Sequence, residues 1–371
     1  WQLETKSGIE DRADFVIAAT GVLHHPRYPH IEGMNEFKGA LFHSARWDHS
    51  VPLDGQRIGI IGTGSTGVQI VSALASKVGK LEHFQRSPQW IMPVENPAFS
   101  EEQKAAFRAD PALLKQMQND PQLEEDIERF SAAIVDPDGE EIHTIEQYCL
   151  ANLENSVVDP ELREKLRPDY RAACKRLVFS PDFYQAIQQP NASVVREDIS
   201  AIEATGIRTS DGKLHELDII VLATGFHADK FMRPMNVIGR NGVKLNDVWA
   251  EAPSAYMAIS VPDFPNMFML NGPNGPVGNF SLIEIAEQQW HYISQLMAQV
   301  CDGQCEQISA SAQALEVFDE ERIAAAKTTI FGSGCKSWYL DSRGVPATWP
   351  WTRSRFTEEM KEPSWEAYER A

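Results

Sequence analysis

The sequence predicts an α/β protein: a doubly wound nucleotide-binding domain carrying a helical insertion, with a second domain beside it. Three observations point there. An apolar strand, Arg57 to Ile61, runs directly into Gly62-x-Gly64-x-x-Gly67, and an amphipathic segment, Val68 to Val78, follows. From Asn96 to about Tyr170 the chain changes to acidic stretches of helical spacing, Glu101 to Arg108, Leu123 to Ala133 and Ile142 to Glu154, divided by Asp-Pro and Asp-Gly turns. Strand patterns then return at Ser193 to Arg196, Ile199 to Ala204 and, in a largely apolar run, Leu217 to Ala223.

In chain order, Trp1 to Thr5 and Ala13 to Thr20 read as two arms of a hairpin around Lys6-Ser7-Gly8, the second arm closing in Ala19-Thr20-Gly21. In the glycine motif, Gly62 allows a tight turn, Gly64 lets backbone amides approach a pyrophosphate, and Gly67 lets the next helix pack close to the sheet. That helix, beginning near Thr66, aims its partial positive charge at the phosphates. Leu81 to Gln85 reads as the second strand of the unit. A second Ala-Thr-Gly, Ala223 to Gly225, closes the strand from Leu217. Met267 to Leu270 reads as a strand opening into Gly272-Pro273-Asn274-Gly275-Pro276, and Ser281 to Val300 as a helix with apolar positions three and four apart.

With 371 residues the chain exceeds one average domain. A formal net charge of −19 argues against an extended nucleic-acid or anionic-membrane surface, so any phosphate site must be local. No apolar run is long enough to span a bilayer and no signal-peptide pattern opens the chain, so a soluble, cytoplasmic protein is expected. Cys149, Cys174, Cys301, Cys305 and Cys335 are too few and scattered for a disulfide framework; Cys301 and Cys305 read as structural. No metal site is expected.

Ahead of the glycine motif stands Phe37-x-Gly39-x-x-x-His43-x-x-x-Trp47-Asp48. Fixed spacing of several residue types is far more specific than three glycines, and this segment resembles the fingerprint of type I Baeyer-Villiger monooxygenases, a class of flavin-containing monooxygenases. The resemblance implies a fold of two Rossmann-like dinucleotide-binding domains, with the NADP domain inserted into an FAD domain. It places residues 1–50 at the end of the FAD domain and the fingerprint linker. Residues 51–217 form the NADP domain with its helical insertion at about 96–170, and 218–371 return to the FAD domain and the substrate side. Gly-x-Gly-x-x-Gly occurs once, so the FAD-clamping segment of the family is expected to be missing from this sequence. The implied partners are NADP(H), FAD, O2 and a small-molecule ketone, which gives an ester or lactone through a C4a-peroxyflavin.

About twenty residues beyond a glycine loop, an acidic residue selects NAD through the ribose hydroxyls. Here Gln85-Arg86-Ser87 occupies that place, and a guanidinium suits a 2′-phosphate instead. A solvated strand-end arginine is the plainer alternative. Lys175-Arg176 resembles the family's Lys-Arg step, in which the lysine helps to bind the 2′-phosphate and the arginine stabilises the peroxide and the tetrahedral adduct. A basic dipeptide at a helix end is the plainer reading. By the same resemblance Arg176 is the catalytic candidate; Thr66, Gln69, Ser87, Asn274 and Trp338 join the cofactor-binding set, and His43 has a conformational role in a linker that bends at Gly39 and is anchored by Phe37 and Trp47.

Three rivals remain open at this stage. An N- or S-oxygenating flavin monooxygenase shares the layout but normally lacks Trp47-Asp48. A pyridine-nucleotide disulfide reductase needs a redox cysteine pair beside the flavin. An NADP-binding fragment without flavin would be inactive.

Overall fold

A computed structural model gives the structure of the chain and describes residues 1–371 apart from Val277, Asn279, Cys335 and the side chain of Gln118. Cys335, grouped above with the other cysteines, thus lies outside the described residues. The chain forms two units: Leu23–Arg108 with His143–His227, and Trp1–Val22 with Ala109–Ile142 and Ala228–Ala371.

The first unit is built on a five-stranded sheet in the order Ala40–His43, Ile219–Leu222, Arg57–Ile61, Lys80–Phe84, Ala192–Val195. All four pairings are parallel, with Ile60 opposite Val221 on one side and His83 on the other. The two central strands, Ile219–Leu222 and Arg57–Ile61, are short, rich in isoleucine and buried on both faces, as a covered parallel sheet requires. Ile58, Ile60, Leu81, Ile219 and Val221 face a helical layer that includes Ser65–Leu74 and Phe183–Ile187. Ile61, Phe84, Ile220 and Leu222 face the other way, packing with Ile202 and Ile207 of an antiparallel meander, Ile199–Glu203, Gly206–Thr209 and Leu214–Glu216. The last two meander strands were not foreseen; Thr205-Gly206 and Asp211-Gly212 mark their turns.

Sheet order decides where a ligand can sit. From Arg57–Ile61 the chain steps outward to Lys80–Phe84 and Ala192–Val195, whereas Ile219–Leu222 and Ala40–His43 lie on the opposite side. The loops leaving Ile61 and Leu222 therefore diverge, opening a crevice at the carboxyl ends of the strands, the switch point where doubly wound sheets bind ligands. At the opposite end Asp218 accepts from the Arg57 backbone N–H at 2.9 Å and from its guanidinium at 2.8 and 3.1 Å, clamping the two central strands.

In the second unit the predicted hairpin exists with a different second arm. Gln2–Glu4 pairs antiparallel with Glu10–Arg12 around Gly8, while Val16–Ala18 pairs parallel with Met267–Met269. The apolar Val-Ile-Ala stretch finds a buried partner that the exposed hairpin cannot offer. Helices fill most of the predicted insertion: Glu101–Ala109, Glu140–Ser156 and Pro160–Leu166 lie mainly in the first unit, and Ala112–Gln118 and Pro121–Val135 in the second. Arg353 ties Pro121–Val135 into the second unit: its backbone N–H donates to Ser131 Oγ at 2.8 Å, and its guanidinium meets Glu128 at 3.3 Å and Glu284 at 2.6 Å. The helix Leu282–Cys301 starts at Ser281, whose side chain accepts from the Glu284 N–H. Among the described residues no helix is long and apolar enough to cross a membrane, and no cluster of metal-ligating side chains occurs.

Candidate functional site

The glycine loop leaves Ile61 at the switch point. Gly62 has φ +118, and a Cβ there would sit 2.2 Å from the Ala223 carbonyl oxygen. At Gly67 a Cβ would lie 2.1 Å from the Gly62 oxygen, so only glycine lets the helix approach its own strand. Gly64 differs: a Cβ there would meet nothing within 4 Å. It caps the helix Ser65–Leu74 without a side-chain hydrogen bond, leaving first-turn N–H groups to be satisfied from outside. The protein itself thus demands Gly62 and Gly67, while Gly64 keeps space clear at a helix N-terminus. Thr66 is half-buried in the first turn of that helix and Gln69 is exposed one turn on. Gln69 lines a cleft of about 490 Å³ with Ser72, Val94, Asn96, Phe179 and Asp182.

Residues far apart in sequence meet beside this loop. Lys175 Nζ donates to Ser87 Oγ at 2.9 Å and lies 3.9 Å from the centroid of the Tyr170 ring. The Ser87 carbonyl accepts from Thr63 Oγ1 at 2.9 Å, linking the cations to the glycine loop. Burial, followed by the nearby Arg86 guanidinium, pulls the Lys175 ammonium below its ordinary range, with Asp169 opposing. Two cations thus sit close enough to disfavour one another, a cost that an incoming dianion would reverse. Among the described residues neither Arg86 nor Arg176 has a hydrogen-bond or carboxylate partner, and both are exposed. Arg176 lies in an irregular stretch between the helix Pro160–Leu166 and the strand Val178–Phe179, so the helix-end reading of this dipeptide does not hold. Cys174 lies buried just before Lys175, and Cys149, Cys301 and Cys305 are free.

The fingerprint segment contains a strand of this same sheet, Ala40–His43, paired with Ile219–Leu222. Gly39 is needed less for a bend than for closeness, since a Cβ would lie 2.2 Å from the Asp218 oxygen. Phe37 packs into the meander-side core, and Trp47 meets Phe42 edge-on at 5.0 Å. His43 is fully buried, its Nδ1 accepting from the Ala45 N–H at 3.1 Å, so its Nε2–H donates to the Gly225 carbonyl at 3.0 Å. Burial holds this ring below the usual histidine range, with Arg46 adding to the effect. His43 therefore joins the fingerprint to the second Ala-Thr-Gly turn as a neutral ring. Asp48 closes a local turn, accepting from the Ser50 N–H at 2.9 Å and hydroxyl at 2.6 Å.

Asn274 and Trp338 belong to the other unit. Asn274, with φ +70, accepts from the Ala255 N–H at 3.3 Å and donates to the Ala347 carbonyl at 3.5 Å, fixing the turn at 271–276. Gly272 is required there because a Cβ would lie 2.3 Å from the Ala258 oxygen. Trp338 is partly exposed and stacks on Tyr339 at 4.3 Å.

Sequence reasoning passed over Thr63, Tyr170 and His83. His83 lies beneath the loop, with Nε2 2.9 Å from the Gly62 oxygen and its ring edge-on to Phe183 at 6.0 Å. Burial pushes its pKa from 6.5 down to about 4. A histidine kept neutral in the fold but free to protonate when unfolded costs stability as pH falls below its unfolded value. His83 should therefore withdraw up to about 3 kcal/mol between pH 6.5 and pH 4. Urea unfolding of wild type and His83→Gln across that window checks this: the wild-type midpoint should fall more steeply, and parallel curves would refute it.

A parallel sheet with a glycine loop and paired cations at its switch point defines a dinucleotide-binding protein. Residues 1–100 match the flavin-binding monooxygenase-like family. An uncharacterized monooxygenase of Mycobacterium tuberculosis is 45% identical over 355 residues, spanning 96% of this chain and 71% of the relative. A Baeyer-Villiger monooxygenase of Streptomyces coelicolor is 36% identical over 365 residues, 97% of this chain and 69% of that protein. Among solved structures, cyclohexanone monooxygenase from a Rhodococcus species, described as bound to NADP+, superposes with a TM-score of 0.82 at 28% identity, covering all of this chain and 77% of its own. The chain belongs to the Baeyer-Villiger monooxygenases of the flavin-binding monooxygenase family. It is accordingly a monooxygenase-type oxidoreductase.

Proposed function

We propose that this protein uses NADPH, FAD and O2 to convert a ketone into an ester or lactone, one oxygen atom entering the product and the other leaving as water. The nicotinamide cofactor fits the residues present. Gly64 leaves open space at an uncapped helix N-terminus for the diphosphate, and Arg86, Lys175 and Ser87 converge where a 2′-phosphate would stand. For FAD the support is family membership, with the turn at 271–276 and Trp338 as the residues assigned toward it. In domain terms, 51–217 would hold NADPH, while 1–50 and 218–371 would serve FAD and substrate. Together the cofactors would supply reducing equivalents and oxygen activation. The protein's own part is to orient them and to place a permanent charge. Arg176, which cannot deprotonate, is assigned to stabilise negative charge that develops during oxygen transfer. His43 is assigned to hold the fingerprint segment against the Ala223-Thr224-Gly225 turn.

The observation that carries the cofactor reading is the convergence of Arg86 and Lys175, on segments far apart in the sequence. Fluorescence titration tests it. Arg86→Ala and Lys175→Ala should each weaken NADPH about 10- to 100-fold while changing NADH by less than about threefold. Equal losses for both nucleotides, or wild type that does not distinguish them, would count against the assignment.

A further inference from the structure

The Gly62 carbonyl is trapped between two groups. From one side the helix closes in, so that a Cβ at Gly67 would lie 2.1 Å from this oxygen. From the other, His83 Nε2 meets it at 2.9 Å. A carbonyl only accepts, so Nε2 carries the proton, and in a neutral ring Nδ1 is then an unprotonated lone pair. That Nδ1 is buried without a hydrogen-bond partner among the described residues. An apolar side chain packed against Phe183 would leave no such orphan, so the ring's contribution lies at Nε2.

We propose that His83 is a positioning residue for the dinucleotide: by drawing the Gly62 carbonyl inward, it turns the Thr63 N–H outward to meet the cofactor's diphosphate. The reason is covalent. Across a trans peptide the C=O and the following N–H point in opposite directions, and the Gly62–Thr63 bond is not among the cis peptides of the chain. The Thr63 N–H has no backbone acceptor among the described residues. Its side chain is fastened as well, Thr63 Oγ1 donating to the Ser87 carbonyl at 2.9 Å. The peptide plane is thus gripped at both ends before any ligand arrives, which is preorganisation of an anion-binding donor. Only a donor on the ring's far nitrogen, or one of equal reach, can do this; bulk cannot.

This inference rests on the reading of the Gly62–Gly67 loop as an NADP site. The test compares wild type, His83→Leu and His83→Gln by calorimetric titration with NADP+ and with 2′-AMP, which carries the phosphate that Arg86 and Lys175 would bind but no diphosphate. His83→Leu should bind NADP+ about tenfold more weakly and 2′-AMP as wild type does, and His83→Gln should recover most of the loss through its amide donor. Leu binding NADP+ as tightly as wild type, or losing 2′-AMP in the same proportion, overturns the proposal. If the Leu variant does not fold, nitrogen-15 NMR of the wild-type ring decides: an Nε2–H tautomer whose resonance moves on adding NADP+ supports the assignment, and an Nδ1–H tautomer or an unresponsive ring defeats it. Wild type that binds no NADP+ would defeat the underlying loop reading, which is a separate outcome from tight binding by the Leu variant.

Discussion

Gly62→Ala is expected to abolish NADPH binding and to lower the stability of its unit by about 3 kcal/mol or more. Two costs add at this residue. Its φ of +118 is a conformation that side chains rarely adopt, and the new methyl would lie 2.2 Å from the Ala223 oxygen, which belongs to a buried parallel strand's end and cannot give way cheaply. The neighbouring change supplies the contrast. Gly64→Ala places its methyl in open space at an unstrained φ of −66, so the fold should tolerate it to within a few tenths of a kcal/mol. NADPH affinity should nevertheless fall about tenfold, because backbone amides there must come close to phosphate. Urea midpoints and nucleotide titration on both variants separate the two kinds of glycine. A Gly64→Ala protein that binds NADPH normally would show that the cleared space serves something else.

Arg176→Ala is expected to cut ester or lactone formation about 100- to 1000-fold in flavin-loaded protein, with NADPH affinity changed by less than about threefold. Arg176 has no protein partner to lose among the described residues and is exposed, so the fold should not register its removal. Lysine should restore only part of the rate, since it keeps charge but not the planar fork. Flavin content is followed by visible absorption, so that a variant without flavin is not mistaken for an inactive one. Product formation at the wild-type rate by Arg176→Ala would remove the catalytic role assigned to it.

Much of the first unit was legible from the chain alone. The run Arg57 to Ile61, the glycine spacing and the apolar stripe Val68, Val71 and Leu74 are local signals, and they became the strand, turn and helix they spell. The fingerprint from Phe37 to Asp48 was equally legible as a family mark. Its structure was not, because a four-residue strand at a sheet edge has too few alternating positions to announce itself. The hairpin failed for a related reason: Val16–Ala18 has strand character, but nothing local says whether it pairs with Gln2–Glu4 or with Met267–Met269.

Sequence by itself determined the kind of unit that forms and the chemistry its glycines and cations can support, because turns, caps and periodic burial depend on residues a few positions apart. Tertiary structure decided which distant groups share a site. Strand order brought Lys175 to Ser87 and set His43 against Gly225. Alternation along Lys80–Phe84 put His83 on the helix side beneath Gly62, while Glu82 went to the opposite face to meet His215 at 2.8 Å. A shift of one residue would exchange those faces, and only the packed sheet fixes that parity.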